Sequence, residues 1–360
     1  MLVVIPSNRN VNFDYLRPLI DAGARFIVVD DTPGSIRIDH PAFAVYNWED
    51  RRRILGELDA SFPRRNGACR DFGFFIAWRE ADNDEIIVAL DDDCEVMRAD
   101  FATAVEAALS PATHAYWKGA GRHANILDLY DNTPPDLFPR GFPYEERIGY
   151  RPREIEGTLS GRSAFNLGLW TDAFDVNGID KISGPGWRHP EARLRHASVA
   201  VPPGTLISVC SMNMQFRRAL VPAVYQFPMH FEVMPHWVID RYGDIWGGFA
   251  LKLLMDRCGD LMTVGGPVIA HRKPGDQLRN TWQEHLCHLV NREFIDLLVA
   301  ASGEVRHSNY LDMMGDLREG IARRAAAVSP LLRSYAAFLT TALESWCVAL
   351  DRAERSRRVA

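Results

Sequence analysis

The sequence predicts an α/β protein on a mainly parallel central sheet, with a helical region toward its C-terminal end. Three observations carry this. Short apolar runs alternate with helix-spaced segments over residues 1–100, the pattern of βαβ units. Two of those runs end directly in aspartates, which places acids at the C-terminal edge of the sheet, where open α/β sheets bind ligands. From about Thr281 onward the apolar spacing is helical.

Each element follows in order. Leu2 to Ile5 reads as a first buried strand, closed by Pro6 and Asn8. A helical stretch over Phe13–Ala22 leads to a second strand, Phe26–Val29, which ends in Asp30 and Asp31. Phe43–Tyr46 reads as a third strand. Phe72, Phe75, Ile76 and Trp78 have helical spacing within Asn66–Arg79. The apolar run Ile86–Leu90 then reads as a buried strand, with Asp91, Asp92 and Asp93 directly behind it. From about 110 to 235 the chain is rich in Pro, Gly and aromatics and reads as long loops, which in a compact domain tend to carry function. Ile245, Phe249 and Leu253 place a helix over Asp244–Arg257, and Gly265–Ala270 reads as a strand leading into His271. The expected division is one unit over 1–280, with a nucleotide-binding half at 1–100 and a second half at 101–280, and a helical region at 281–360.

Composition narrows the function. The 47 acids against 41 bases give a net charge of -6, which speaks against a nucleic-acid partner. The 6 cysteines are scattered without a CxxC pair, unlike a zinc framework or a secreted disulfide scaffold. The first residues lack a signal-peptide charge pattern, and no apolar stretch is long enough for a transmembrane helix, so a cytoplasmic protein is expected. Gly119 to Ala124 fits GxGxxA but lies after the aspartates rather than in a first βα turn, so no flavin or NAD site is expected. His114, His123, His230 and His236 have no spacing that suggests a shared metal.

Three adjacent carboxylates at a buried strand end need a cation or hydrogen-bond donors to neutralise them. Hard oxygen ligands of this kind suit Mg²⁺ or Mn²⁺ bridging to phosphates. The pattern also fits a solvated acidic turn with Asp93 as a helix N-cap.

Several blocks in order then carry a resemblance: VVIPSNRNVNF, VYNWEDRRRILG, GACRDFGF, LDDDC, RGFPYEER, VPPGTLISVCSMNMQF, DRYGDIWGGFALK and IAHRK. The chain resembles the reversibly glycosylated polypeptides, or UDP-arabinopyranose mutases, from Val3 to about Asp276 and more weakly beyond. The resemblance implies a GT-A-like fold, a UDP-sugar substrate and a divalent metal, with 1–280 as the catalytic domain. It also implies roles. Asp91 and Asp93 would hold the metal, with His271 as a further ligand and Asp92 reaching the sugar or ribose. Lys273 would meet the diphosphate, and Pro6, Asn8, Asp31 and Arg70 would surround the uridine. From the residues alone, His271 and Lys273 also read as loop residues, Asp31 as a turn residue, and Arg70 as an ion-pair partner of Asp91.

RGFPYEER matches the stretch that carries the glycosylated arginine in that family. Arg140 and Arg147 have the matching seven-residue gap, and Arg147 takes the glycosylated position. Arginine is protonated at ordinary pH, so a carboxylate must orient or deprotonate it. Asp244 is the expected partner, ahead of Glu145, Glu146 and Asp175. Arg147 also reads as a mobile loop arginine or a diphosphate clamp. The leading function is therefore a metal-dependent UDP-sugar pyranose/furanose mutase. A glycosyltransferase acting on a separate acceptor or on itself, and a non-catalytic scaffold, are the alternatives. Homo-oligomerisation is left open.

Overall fold

The computed structural model describes residues 1–10, 12–118, 121–131, 133–134, 136–272 and 275–359. The protein is α/β, with helices against a large central sheet. β1 (Leu2–Ser7), β2 (Arg25–Asp30) and β3 (Phe43–Tyr46) lie side by side and parallel, and β4 (Ile86–Leu90) joins β1 on its other edge, also parallel. β1 and β4 are apolar on both faces because helices cover the sheet on each side. The connections are α1 (Arg17–Asp21), α2 (Trp48–Leu55) and α3 (Arg70–Glu80). Asn47 caps α2, accepting from the backbone of Glu49 and Asp50.

Beyond β4 the sheet becomes mixed. After β5 (Cys94–Glu95), α4 (Phe101–Ala108) leads to β6 (Pro111–Trp117). α5 (Tyr144–Arg147) precedes β7 (Ile155–Ala173), which runs antiparallel to β6. α6 (Gly178–Ser183), β8 (Arg188–His189) and β9 (Ser198–Ala200) follow, and β10 (Asn213–Arg217) slots antiparallel between β4 and β7. β11 (Phe231–Met234) and β12 (Trp237–Ile239) make a separate hairpin before α7 (Gly243–Cys258). β13 (Leu261–His271) runs parallel to β7 and antiparallel to β9. The expected parallel order holds without exception for the first four strands; beyond them antiparallel pairs mix with the parallel pairs β6–β9 and β7–β13.

Two placements matter for function. The end of β13 pairs with β5, His271 opposite Cys94, which brings His271 beside the aspartates. On the sheet face, Gly73 lets α3 sit directly on β1 and β2: a Cβ there would lie 2.5 Å from Val4 Cγ1 and 2.9 Å from Val29 Cγ2. The chain ends in α8 (Gln277–Ser302), α9 (Tyr310–Arg324) and α10 (Pro330–Val359). α10 covers the outer side of α3: the Trp78 indole donates to Leu350 O at 3.1 Å, and Arg218 lies over the Trp78 ring and donates to Glu354 at 2.7 Å. Among the described residues no helix is long and apolar enough to cross a membrane.

Candidate functional site

The C-terminal ends of β1, β2 and β4 lie together, so Ser7, Asp31 and Asp91–Asp93 share one sheet edge. Each of the three adjacent aspartates has a different neighbour. Asp91 pairs with Arg70, whose side chain is 2% exposed and whose Nη1 also donates to Ser211 O at 2.6 Å. Asp92 accepts a two-pronged contact from Arg9, Nη2 to Oδ1 at 2.5 Å and Nε to Oδ2 at 3.0 Å, and a bond from Ser7 Oγ at 2.6 Å. Asp93 faces His271 Nε2 at 3.8 Å. His271 Nδ1 donates to Ala173 O at 2.8 Å, because a carbonyl oxygen can only accept, and Nε2 is the nitrogen turned to Asp93.

These side chains are of the type that could hold a hard divalent cation. Carboxylate oxygens of Asp91 and Asp93 lie within 4.8 Å of each other and of Cys94 Sγ. Burial, and then the charge of Asp91, push Asp93 up to about 6. A bound cation would remove that strain. Burial holds the Cys94 thiol well above its usual range, and its soft sulfur suits a hard cation less than the carboxylates do. Two carboxylates and one imidazole fit Mn²⁺ or Mg²⁺.

At the end of β2, Asp31 is buried and both its oxygens are engaged, by the Trp48 indole at 2.8 Å and by Arg65 N at 2.5 Å. Arg64 and Arg65 lie over the Trp48 ring at 5.0 and 5.3 Å. Pro6 is paired in β1 beside Val29, and Asn8 is exposed. A groove of about 450 Å³ lined by Asn10, Phe13, Asp14, Arg37, Asp39 and His40 does not include Asp31 or Asp91–Asp93.

A second charged cluster begins one residue away. Ser211, which accepts from Arg70, donates its N–H to Asp244 at 3.4 Å. Asp244 and Asp175 flank Arg140, which bonds Asp175 at 3.1 and 3.0 Å and Asp244 at 3.2 and 2.9 Å. Gly141 follows with φ 87°, and a Cβ there would run into Ile245 of α7. The loop carrying Arg140 is therefore pressed onto α7, next to Asp244. Burial alone would raise Asp175, but the Arg140 charge outweighs it and holds the carboxyl below its ordinary range.

Arg147 lies at the end of α5, further along the same network. Arg140 donates to Arg241 O, Arg241 Nε bonds Glu284 at 3.1 Å, and Glu284 accepts from Gly178 N at 2.8 Å, the first residue of α6. α6 carries Asp180, whose oxygens take Arg147 Nη1 at 3.1 and 2.9 Å. The guanidinium stacks on Tyr144 at 4.1 Å and Phe138 at 4.9 Å. Its Nε and Nη2 are buried and have no partner among the described residues. His288 packs edge-on against Tyr144 and meets the Tyr242 hydroxyl at 2.8 Å. Burial, then the charges of Arg147 and Arg140, push His288 down to about 4, so it is neutral.

Comparison with known proteins decides the family. A model described as reversibly glycosylated polypeptide matches residues 1–350. The chain belongs to the reversibly glycosylated polypeptide family. Relatives within it include a probable UDP-arabinopyranose mutase 1 of Pisum sativum, 26% identical over 96% of this chain and 89% of its own. UDP-arabinopyranose mutase 3 of Arabidopsis thaliana is 26% identical over 96% of this chain and 90% of its own. UDP-arabinopyranose mutase 1 of Oryza sativa subsp. japonica is 26% identical over 96% and 89%.

Within this member of the reversibly glycosylated polypeptide family, the structure sets Asp93 beside both Asp91 and His271 and pairs Arg70 with Asp91; His271 lies outside the close donor group, which is Asp91, Asp93 and Cys94. One expectation is corrected. Asp244 lies on Arg140, and the carboxylate on Arg147 is Asp180, because α6 and not α7 faces the end of α5. Glu145 has no bonded partner among the described residues, Glu146 pairs with His123, and Asp175 pairs with Arg140. Lys273 falls outside the described residues. Arg9, Ser7 and Asp180 are additions to the sequence reading. The only sequence cue to Asp180 was an N-cap spacing, Asn177 three residues ahead of an acid.

Proposed function

We propose that this chain is a metal-dependent enzyme acting on a UDP-sugar, a pyranose/furanose mutase that works through Arg147 on a GT-A-like scaffold. It belongs in the cytoplasm. The observation that carries the reading is Arg147 itself: a guanidinium held between two rings, with two nitrogens buried and unpartnered, in the network that leads back to the aspartates. Buried donors without partners are costly, so such an edge is built for a ligand. The relatives' names add a UDP-sugar and a change of ring.

Asp91, Asp93 and His271 hold the cation, Mn²⁺ or Mg²⁺, and Asp31, Arg70 and the β1 end receive the uridine. When bound, the cation neutralises charge building on the departing diphosphate. At the sugar, the C1–O bond to the diphosphate breaks and its electron pair leaves with UDP. A bond from C1 to an Arg147 nitrogen forms, and one proton passes from that nitrogen to the departing diphosphate. The held sugar opens and recloses through another hydroxyl, and UDP takes it back by the reverse step.

The test is incubation with Mn²⁺ and a panel of UDP-sugars, UDP-arabinopyranose included. The wild type should yield isomerised nucleotide sugar and a single sugar mass on the protein. Arg147→Lys keeps the charge but loses the planar fork, and should lose nearly all isomerisation and the added mass while still binding UDP. A lysine variant that isomerises at a comparable rate would sink the reading. Free UDP with sugar on a separate acceptor would favour the transferase alternative, in which Arg147 clamps the substrate.

A further inference from the structure

We propose that Asp180 is the positioning residue for Arg147, fixing which edge of the guanidinium meets the sugar; this rests on the reading of Arg147 as the sugar-bearing residue. Among the described residues Asp180 is the only carboxylate bonded to Arg147. It bonds end-on, both oxygens converging on Nη1 at 3.1 and 2.9 Å, rather than side-on across two nitrogens. That choice leaves the Nε–Nη2 edge unbonded, and those two buried nitrogens have no partner among the described residues.

Two further restraints complete the orientation. Tyr144 and Phe138 set the plane of the guanidinium, so only rotation within that plane remains. The Asp180 contact at Nη1 removes that rotation. Asp180 is itself held in place. Its backbone N–H donates to the Asn177 side chain at 2.9 Å, and the Asn177 amide donates to Asp180 Oδ2 at 2.7 Å. Asn177 in turn is fully buried, and Gly178 is tied to Glu284 of α8 at 2.8 Å. A short helix anchored at its first turn thus delivers a single carboxylate to a single nitrogen. The sugar carbon then has one nitrogen, Nη2, at the unbonded edge, to reach once the loop around it moves aside, with Nε–H beside it as a donor for a sugar oxygen.

The experiment compares wild type, Asp180→Asn and Arg147→Lys in the full chain with Mn²⁺ and UDP-arabinopyranose. Asparagine retains an oxygen for Nη1 and fits the α6 cap, so the fold is kept. Misplacing a reacting group by about 1 Å costs on the order of 100-fold. The expected result for Asp180→Asn is therefore a fall in kcat of about 100-fold with KM and UDP affinity within about threefold. Peptide mapping should show the sugar adduct on Arg147 in the wild type and its loss in the variant. An unchanged kcat, or a loss confined to UDP binding, would overturn the role of Asp180 while leaving Arg147 intact. A wild type that isomerises with no adduct and no dependence on Arg147 would overturn both.

Discussion

Replacing Arg140 with methionine tests the buried charge cluster. The Arg140 side chain is 6% exposed and sits between Asp175 and Asp244, each 12% exposed. Methionine fills much of the space and supplies no charge. Two carboxylates would then face each other where water has little access. Removing one partner of a buried ion pair costs about 3–5 kcal/mol, because the remaining charge is left uncompensated. At about 2 °C per kcal/mol for a chain of this size, the midpoint of thermal unfolding should fall by roughly 6–10 °C. The sign of the pH dependence is a second signature. In the wild type, Asp175 is depressed by Arg140, so its contribution is complete above the usual carboxylate pKa and is lost as pH falls through the folded value. In the variant burial dominates and the folded value rises above the unfolded one. Stability then declines as pH rises, so lowering pH from about 7.5 to about 5.5 should narrow the gap to wild type. Calorimetry at both pH values measures this. A midpoint within about 2 °C of wild type, or a gap that does not shrink on acidification, would refute the reasoning.

Three other outcomes are expected. Asp93→Ala should abolish the Mn²⁺ dependence of UDP binding, read by calorimetric titration with and without the ion; equal affinities in wild type and variant under both conditions would remove Asp93 from the metal set. His288 is held down at about 4 against an ordinary 6.5, so its neutral form stabilises the fold fully above about 6.5 and that contribution is lost toward about pH 4, by roughly 3 kcal/mol in all. His288→Gln keeps a partner for Tyr242 and should flatten the acid limb of an unfolding-versus-pH curve; an unchanged limb would place the acid sensitivity elsewhere. Arg147→Lys should leave UDP binding intact while isomerisation falls, as set out above.

The sequence spoke clearly where burial is two-sided. β1, β2 and β4 are continuous apolar runs because helices cover both faces, and the aspartates behind β4 stood out against that background. β7 did not show. Its first half, Glu156 to Gly161, is largely exposed and pairs with β6 on the outside of the sheet, so the residues there are polar and small and read as loop. Partner choice was the other blind spot. Asp180 meets Arg147 through an anchored one-turn helix 33 positions away, and no spacing rule predicts that. Asp244 looked equally suitable in sequence, and only the seating of the Arg140 loop on Ile245 assigns it elsewhere. Arg9 hides in a loop after β1, where nothing in the residue order announces its grip on Asp92.

The seating of α10 on α3 has a consequence for how the chain is made. α3 is completed at Glu80, and α10 begins at Pro330. At about 5–20 residues per second, the roughly 250 residues between them take a ribosome on the order of 10–50 s. Throughout that interval residues 1–100 have their strands and α3 but no α10 to cover Trp78. A part made early is thus finished by a helix made much later, so a nascent chain stalled in between would present that apolar face to whatever chaperone meets it.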